Sequence, residues 1–225
     1  MKAKPKSGPK ESKRRIFLVD DHPVLRDGLR RLLEAEPDLH VCGEAENARK
    51  AYDRIESTTP ELALVDISLP GSNGIELIKG LKARFPALRI LVLSMHDEAL
   101  YAERALRAGA KGYVMKQAPT ENLLTAVRSV LKDEIYVSPS LSHQFLGAFI
   151  TQKSNLGPSL KKLSDREFEI VRLIGRGFTT GEVARELGIS GKTVETHRGN
   201  IRRKLNLHSG PELVRFALAN AEDRL

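Results

Sequence analysis

Two short apolar runs near the start of the chain both end in carboxylates. Ile16-Phe17-Leu18-Val19 is closed by Asp20 and Asp21, and Leu62-Ala63-Leu64-Val65 by Asp66. Runs this uninterrupted read as strands buried on both faces, which points to a parallel sheet. Further strand-like segments fall near 40–44, 88–94 and 111–115. Helical spacing fills the intervals near 23–36, 47–58, 74–84, 97–108 and 120–132. Pro23 suits a first helical turn, with Leu25, Leu29, Leu32 and Leu33 behind it. Gly109 stops the fourth helix, and Pro119-Thr120 opens the fifth. Five strand–helix units predict a doubly wound, five-stranded α/β domain over residues 16–134.

The pattern changes after Glu134. Ser, Pro, Asn and Gly recur through residues 135–160, which read as a linker, with a short helix expected over Gln144–Ile150. From Lys161 to residue 225 the periodicity is helical and no strand run occurs. Ser164-x-x-Glu167 and Thr179-x-x-Glu182 both match the capping box, in which side chains satisfy the first amides of a helix. Residues 179–205 read as helix-turn-helix. Thr179 caps a helix through Leu187, Gly188-Ile189-Ser190 turns, and a second helix runs from about Gly191 to Leu205. Val194, Ile201 and Leu205 define its buried face. Lys192, Glu195, Thr196, Gly199, Arg202 and Arg203 are left outside, a polar and basic surface suited to the major groove of double-stranded DNA.

Charge adds less than the net value of +8 suggests. Residues 1–15 carry +6 of it, residues 16–134 carry −3 and residues 161–225 carry +4. The basic tail, residues 1–15, has almost nothing apolar and is expected to be disordered, adding at most nonspecific attraction to phosphates. The lone cysteine, Cys42, cannot staple the fold, which fits a reducing compartment. No apolar run approaches membrane-spanning length, and no apolar stretch follows the basic N-terminus as in a signal peptide. A cytoplasmic protein with no membrane partner is expected.

In a parallel sheet, ligands bind outside the carboxyl ends of the strands. If the first and third strands are neighbours, Asp20, Asp21 and Asp66 meet at one rim. Their mutual repulsion is relieved by a hard divalent cation with oxygen ligands, of which Mg2+ is the natural one. Asp21 also stands where a cap for the first helix belongs. Together with Ser94 and Lys116, these aspartates resemble the active-site set of receiver domains from bacterial two-component response regulators, a flavodoxin-like fold. Asp66-Ile67-Ser68-Leu69-Pro70-Gly71-Ser72-Asn73-Gly74 is similar to the loop after the phosphorylated aspartate, and Gly112-Tyr113-Val114-Met115-Lys116 to the end of the fifth strand. The resemblance implies that Asp66 accepts a phosphoryl group from a sensor histidine kinase. It implies Mg2+ held by Asp21, Asp66 and the Ser68 carbonyl, with Asp20 acting through water. Lys116 would meet a phosphoryl oxygen, and Ser94 would turn toward the new phosphate. Tyr113 matches the switch aromatic. Strand alternation sets it opposite Lys116, so it is expected near the outer surface of strand five and helix four.

The C-terminal part resembles the LuxR-type DNA-binding domain of NarL/FixJ response regulators. The matching residues run from Leu163-Ser164-Asp165-Arg166-Glu167 through Lys192-Thr193-Val194-Glu195-Thr196-His197 to Arg203-Lys204-Leu205. The resemblance implies base contacts at Glu195, Thr196 and Gly199, and phosphate contacts at Lys192, Thr193, His197 and Lys204. Gly199 departs from the longer side chain common there and costs up to about 1 kcal/mol of helix stability, so close approach to DNA is a reason for it. The expectation is a phosphorylation-dependent DNA-binding transcription regulator, not an enzyme beyond its own phosphoryl chemistry. Phosphorylation would yield a homodimer, and in the closed state the receiver would cover the recognition helix. Contact with RNA polymerase is left open. The rivals are an aspartate-dependent Mg2+ phosphohydrolase, a regulator that signals without phosphorylation, and an adaptor that binds no DNA. The regulated genes, the operator, the signal and the dimerisation face are not readable.

Overall fold

The structure is a computed structural model, which describes residues 13–69, 73–144 and 160–220. Ten alternating elements come first: β1 (Arg14–Val19), α1 (Pro23–Glu34), β2 (Leu39–Ala45), α2 (Ala48–Thr58), β3 (Leu62–Val65), α3 (Gly74–Arg84), β4 (Arg89–Ser94), α4 (Glu98–Arg107), β5 (Gly112–Met115) and α5 (Thr120–Leu131). Every strand pair is parallel, in the order β2-β1-β3-β4-β5. The apolar runs of β1 and β3 are buried throughout and pair Val19 with Val65, so the residues that follow them share one rim. Asp66 N–H donates to the Val19 carbonyl at 2.8 Å, and Lys116 N–H to that of Ser94 at 2.8 Å, carrying the ladder to the strand ends.

α1 and α5 cover one face of the sheet through Leu29, Leu33, Leu123 and Val127. α2, α3 and α4 cover the other. The local signals act much as expected. Pro23 lies in the first turn of α1, Gly109 takes a left-handed φ of 108° just after α4, and Thr120 begins α5. Asp21 does not cap α1. His22 is the N-cap residue, with no side-chain cap bond, which leaves Asp21 to the pocket.

A 3-10 turn (Leu160–Lys162) leads into α6 (Asp165–Gly175), α7 (Thr180–Glu186), α8 (Gly191–Leu205) and α9 (Gly210–Ala219). Both expected capping boxes form, at Ser164–Glu167 and Thr179–Glu182. Arg14 and Arg15, counted above with the basic tail, pair with Leu39 and His40 in β1. The segment read as a linker is partly packed. Tyr136 bridges to Gly112, Leu141 is buried, and a helix starts at residue 139. The rest of that linker, including residues 145–150 of the expected short helix, lies outside the described residues, as do most of the basic tail and Pro70-Gly71-Ser72.

The apolar cluster on the α2–α4 face continues into the helical domain. Tyr101 of α4 meets Phe168 of α6 edge-on, with ring centres 5.3 Å apart. Arg104 lies over Phe168 at 4.2 Å, pairs with Asp165 at 2.7 Å, and donates to the carbonyls of Leu160 and Leu163. Lys79 of α3 reaches the same Asp165 at 2.8 Å.

Candidate functional site

The carboxyl rim of β1, β3 and β5 collects the residues singled out in the sequence. Lys116 Nζ stands 2.6 Å from Asp20 Oδ2 and 2.6 Å from Asp66 Oδ2. The Ser68 N–H donates to Asp66 Oδ1 at 2.8 Å. Asp20 and Asp66 are almost wholly buried. Burial pushes the Asp66 carboxyl above the usual carboxylate range, against the opposing pull of Lys116 and the Ser68 amide. Burial alone would lower the Lys116 ammonium, but Asp20 and Asp66 outweigh it and hold it above its ordinary value. Asp21 Oδ1 is buried and accepts no hydrogen bond.

That oxygen, 2.9 Å from His22 Nδ1 but without a hydrogen bond, is suited to a cation. One lysine cannot balance three carboxylates, and ligand atoms of Asp20, Asp21, His22 and Asp66 lie within 4.8 Å of one another. Gly74 shapes the floor of the loop. A Cβ there would fall 2.2 Å from the Ile67 backbone, so the chain after Asp66 packs against the start of α3 only with glycine at this position.

Ser94 is fully buried at the end of β4, where its Oγ accepts from the His96 N–H at 3.1 Å. Tyr113 differs from expectation. It has no exposed surface, and its hydroxyl donates to the His96 carbonyl at 2.8 Å. Alternation turns it toward α4, but α4 covers that side, so the ring is interior and its burial pushes the phenol pKa up. His96 stacks on Tyr101 with ring centres 4.7 Å apart, linking the β4–α4 loop to the domain contact.

On α8, Lys192, Thr193, Glu195, Thr196 and Arg203 are exposed, while His197 and Gly199 are half-buried. The expected covering of this helix is not what the structure has. The receiver packs on α6 and the 3-10 turn instead, and among the described residues the outer face of α8 stays open. Some groups have intrachain partners. The Thr193 amide takes the Ser190 cap, Thr196 Oγ1 donates back to the Lys192 carbonyl, and Glu195 accepts from Thr180. Lys204 Nζ lies 2.6 Å from Glu167, the buried acid of the first capping box. Burial pushes Glu167 up, but Lys204 and the Ser164 amide more than offset it and hold the carboxyl below its usual range. Beyond its chain neighbours and its own helix backbone, nothing among the described residues lies within 4 Å of a Cβ built on Gly199, so internal packing does not require glycine there.

Sequence reasoning missed three features. His22 stands beside the acidic pocket, with only its place after two aspartates as a signal. Arg198, half-buried between Glu195 and Thr180, ties α8 to α7. A crevice of about 450 Å3 between the domains is lined by Asp21, His22, Ser68 and His96 on one side and by Arg172, Arg176 and Arg185 on the other. No local pattern announces it.

Comparison with known proteins agrees with this geometry. The family described as "Response regulator receiver domain" matches residues 16–128, and "Bacterial regulatory proteins, luxR family" matches residues 161–217. "Oxygen regulatory protein NreC" of Staphylococcus haemolyticus is 39% identical over 209 residues, spanning 91% of this chain and 96% of that protein. The chain is a response regulator of the NarL/FixJ family. NreC of Staphylococcus carnosus is 36% identical over the same shares. RcsB from Salmonella enterica serovar Typhimurium, solved bound to promoter rprA in the presence of phosphomimetic BeF3-, is 27% identical. It covers 92% of this chain and 99% of its own, with a TM-score of 0.64. A LuxR-family two-component response regulator from Aurantimonas sp. SI85-9A1 is 37% identical over 62% of this chain, with a TM-score of 0.58. The protein is therefore a phosphorylation-dependent transcription regulator with a receiver domain and a LuxR-type helix-turn-helix domain. Among its described residues no helix is long and apolar enough to cross a membrane.

Proposed function

We propose that Asp66 is the phosphoacceptor, that the donor is a phosphohistidine of a sensor kinase, and that the modified regulator pairs on double-stranded DNA through α8. The carrying observation is the Lys116 ammonium, 2.6 Å from both Asp20 and Asp66, at the carboxyl end of a parallel sheet. A carboxylate oxygen of Asp66 attacks phosphorus. The new O–P bond forms as the P–N bond of the phosphohistidine breaks, and the bonding pair leaves with the imidazole. Lys116 would meet negative charge on the transferred group. Asp21, Asp66 and the Ser68 carbonyl would hold Mg2+, with Asp20 acting through water. Bound there, the ion neutralises charge on the phosphoryl oxygens.

Ser94 and Tyr113 then carry the signal. The Ser94 hydroxyl and the Tyr113 hydroxyl both bond to His96, one through its N–H and the other through its carbonyl. Turning Ser94 toward a phosphoryl oxygen breaks its bond to the His96 amide and shifts the loop that carries the Tyr101 contact with α6. That is a local charge change biasing a two-state element. On α8, Lys192, Thr193, His197 and Arg203 would meet phosphates, and Glu195, Thr196 and the Gly199 backbone would face bases. Lys204 divides its donors between DNA and Glu167.

Incubating the protein with acetyl phosphate and Mg2+ tests the acceptor. The wild type gains the mass of one phosphoryl group, and Asp66→Ala gains none. Labelling of that variant would reject Asp66 as acceptor.

A further inference from the structure

His22 is outside the ligand set named above, yet its ring belongs to the same pocket. It is the N-cap residue of α1, with an extended backbone (φ −84°, ψ 108°), and its side chain makes no cap bond. The ring turns back over the acidic rim. Nδ1 lies 2.9 Å from Asp21 Oδ1 and 3.3 Å from Asp20 Oδ1. The first of these oxygens is the buried one that accepts no hydrogen bond. The ring is otherwise largely exposed, with 65% of the side-chain surface open, so it can adjust without disturbing the core.

These separations have a geometric meaning. Two ligands at right angles on a six-coordinate ion, each about 2.1 Å from it, lie roughly 3 Å apart. The 2.9 Å from Nδ1 to Asp21 Oδ1 is close to that value. An imidazole nitrogen beside carboxylates changes which ion is favoured. Mg2+ prefers oxygen and holds its water tightly, whereas first-row divalent ions accept imidazole readily.

We propose that His22 Nδ1 is a ligand of the divalent ion in the acidic pocket, making it a mixed imidazole–carboxylate site that favours Mn2+ over Mg2+. This rests on reading the pocket as a metal site, and the experiment separates the two claims. Full-length protein is titrated with Mn2+, with free ion followed by electron paramagnetic resonance. Nitrogen coupling to bound Mn2+ is read by pulsed methods, with 15N-histidine labelling to assign it. The wild type is expected to bind one Mn2+ with histidine nitrogen coupling. His22→Ala and His22→Asn lose that coupling and bind Mn2+ at least about tenfold more weakly, the lower end of what even supporting residues of metal sites contribute. Mg2+ affinity, read by competition, moves by less than about threefold, because Mg2+ relies on oxygen.

Mn2+ binding that is lost in Asp21→Asn but shows no nitrogen coupling would overturn the role of His22 and leave the acidic site standing. Coupling that persists in His22→Ala would overturn it too, pointing to another histidine such as His96. Failure of the wild type to bind either ion would overturn the pocket reading itself.

Discussion

Replacing Arg104 with alanine removes the most concentrated contact between the two domains. The guanidinium lies 2.7 Å from Asp165, in a pair whose side chains are only 10% and 12% exposed. It also donates to the carbonyls of Leu160 and Leu163 and lies 4.2 Å above the Phe168 ring. A hydrogen bond to a charged group contributes about 1.5–3 kcal/mol, and a cation over an aromatic face about 0.5–2 kcal/mol. Two effects reduce the sum. Asp165 keeps Lys79 at 2.8 Å, so it is not left unpaired, and the carbonyls regain water. A net loss of about 2–3 kcal/mol shifts the docking equilibrium about 30- to 150-fold, at 1.4 kcal/mol per tenfold. Lys79 is half-exposed, and such pairs contribute up to about 1 kcal/mol, so Lys79→Ala should shift docking less than about fivefold. Single-molecule energy transfer between dyes on the two domains measures the docked fraction. A shift of less than about fivefold in Arg104→Ala, or an equal shift in Lys79→Ala, would refute this role for Arg104.

Two further outcomes follow from single residues. Glu169 of α6 is half-buried in the domain contact region beside Arg166, and desolvation raises its carboxyl from 4.5 to about 6. The folded protein therefore holds this proton more tightly than the unfolded chain does. The stability it confers is present below pH 4.5 and is lost as pH rises through about 6, to the extent of about 2 kcal/mol. Denaturant unfolding from pH 4 to 7 should show this slope in the wild type relative to Glu169→Gln, and parallel curves would refute it. Gly199→Ala meets open space in the middle of α8, so it should stabilise the helical domain by up to about 1 kcal/mol in urea unfolding. The same variant should bind operator DNA more weakly if the glycine serves close approach, and unchanged binding would dismiss that reason.

The sequence alone settled whatever depends on neighbours in the chain. Apolar runs ending in Asp20, Asp21 and Asp66 placed the carboxylates at strand ends, because a strand buried on both faces can keep a charge only where it leaves the sheet. Capping boxes at Ser164 and Thr179 located helix starts, because those bonds close within four residues. The Pro and Gly positions delimited elements for the same local reason. Tertiary structure decided what depends on residues far apart. Alternation gave the side on which Tyr113 lies, but only the packing of α4 made that side interior. Lys204 reads as a free basic residue on α8 until the fold brings Glu167, 37 positions earlier, to 2.6 Å from it. Arg104 and Asp165 are 61 positions apart, and their pairing leaves the outer face of α8 open. Periodicity reports which face of an element is apolar, and it is silent on which element covers that face, because that choice rests on complementarity between surfaces the chain brings together only when folded.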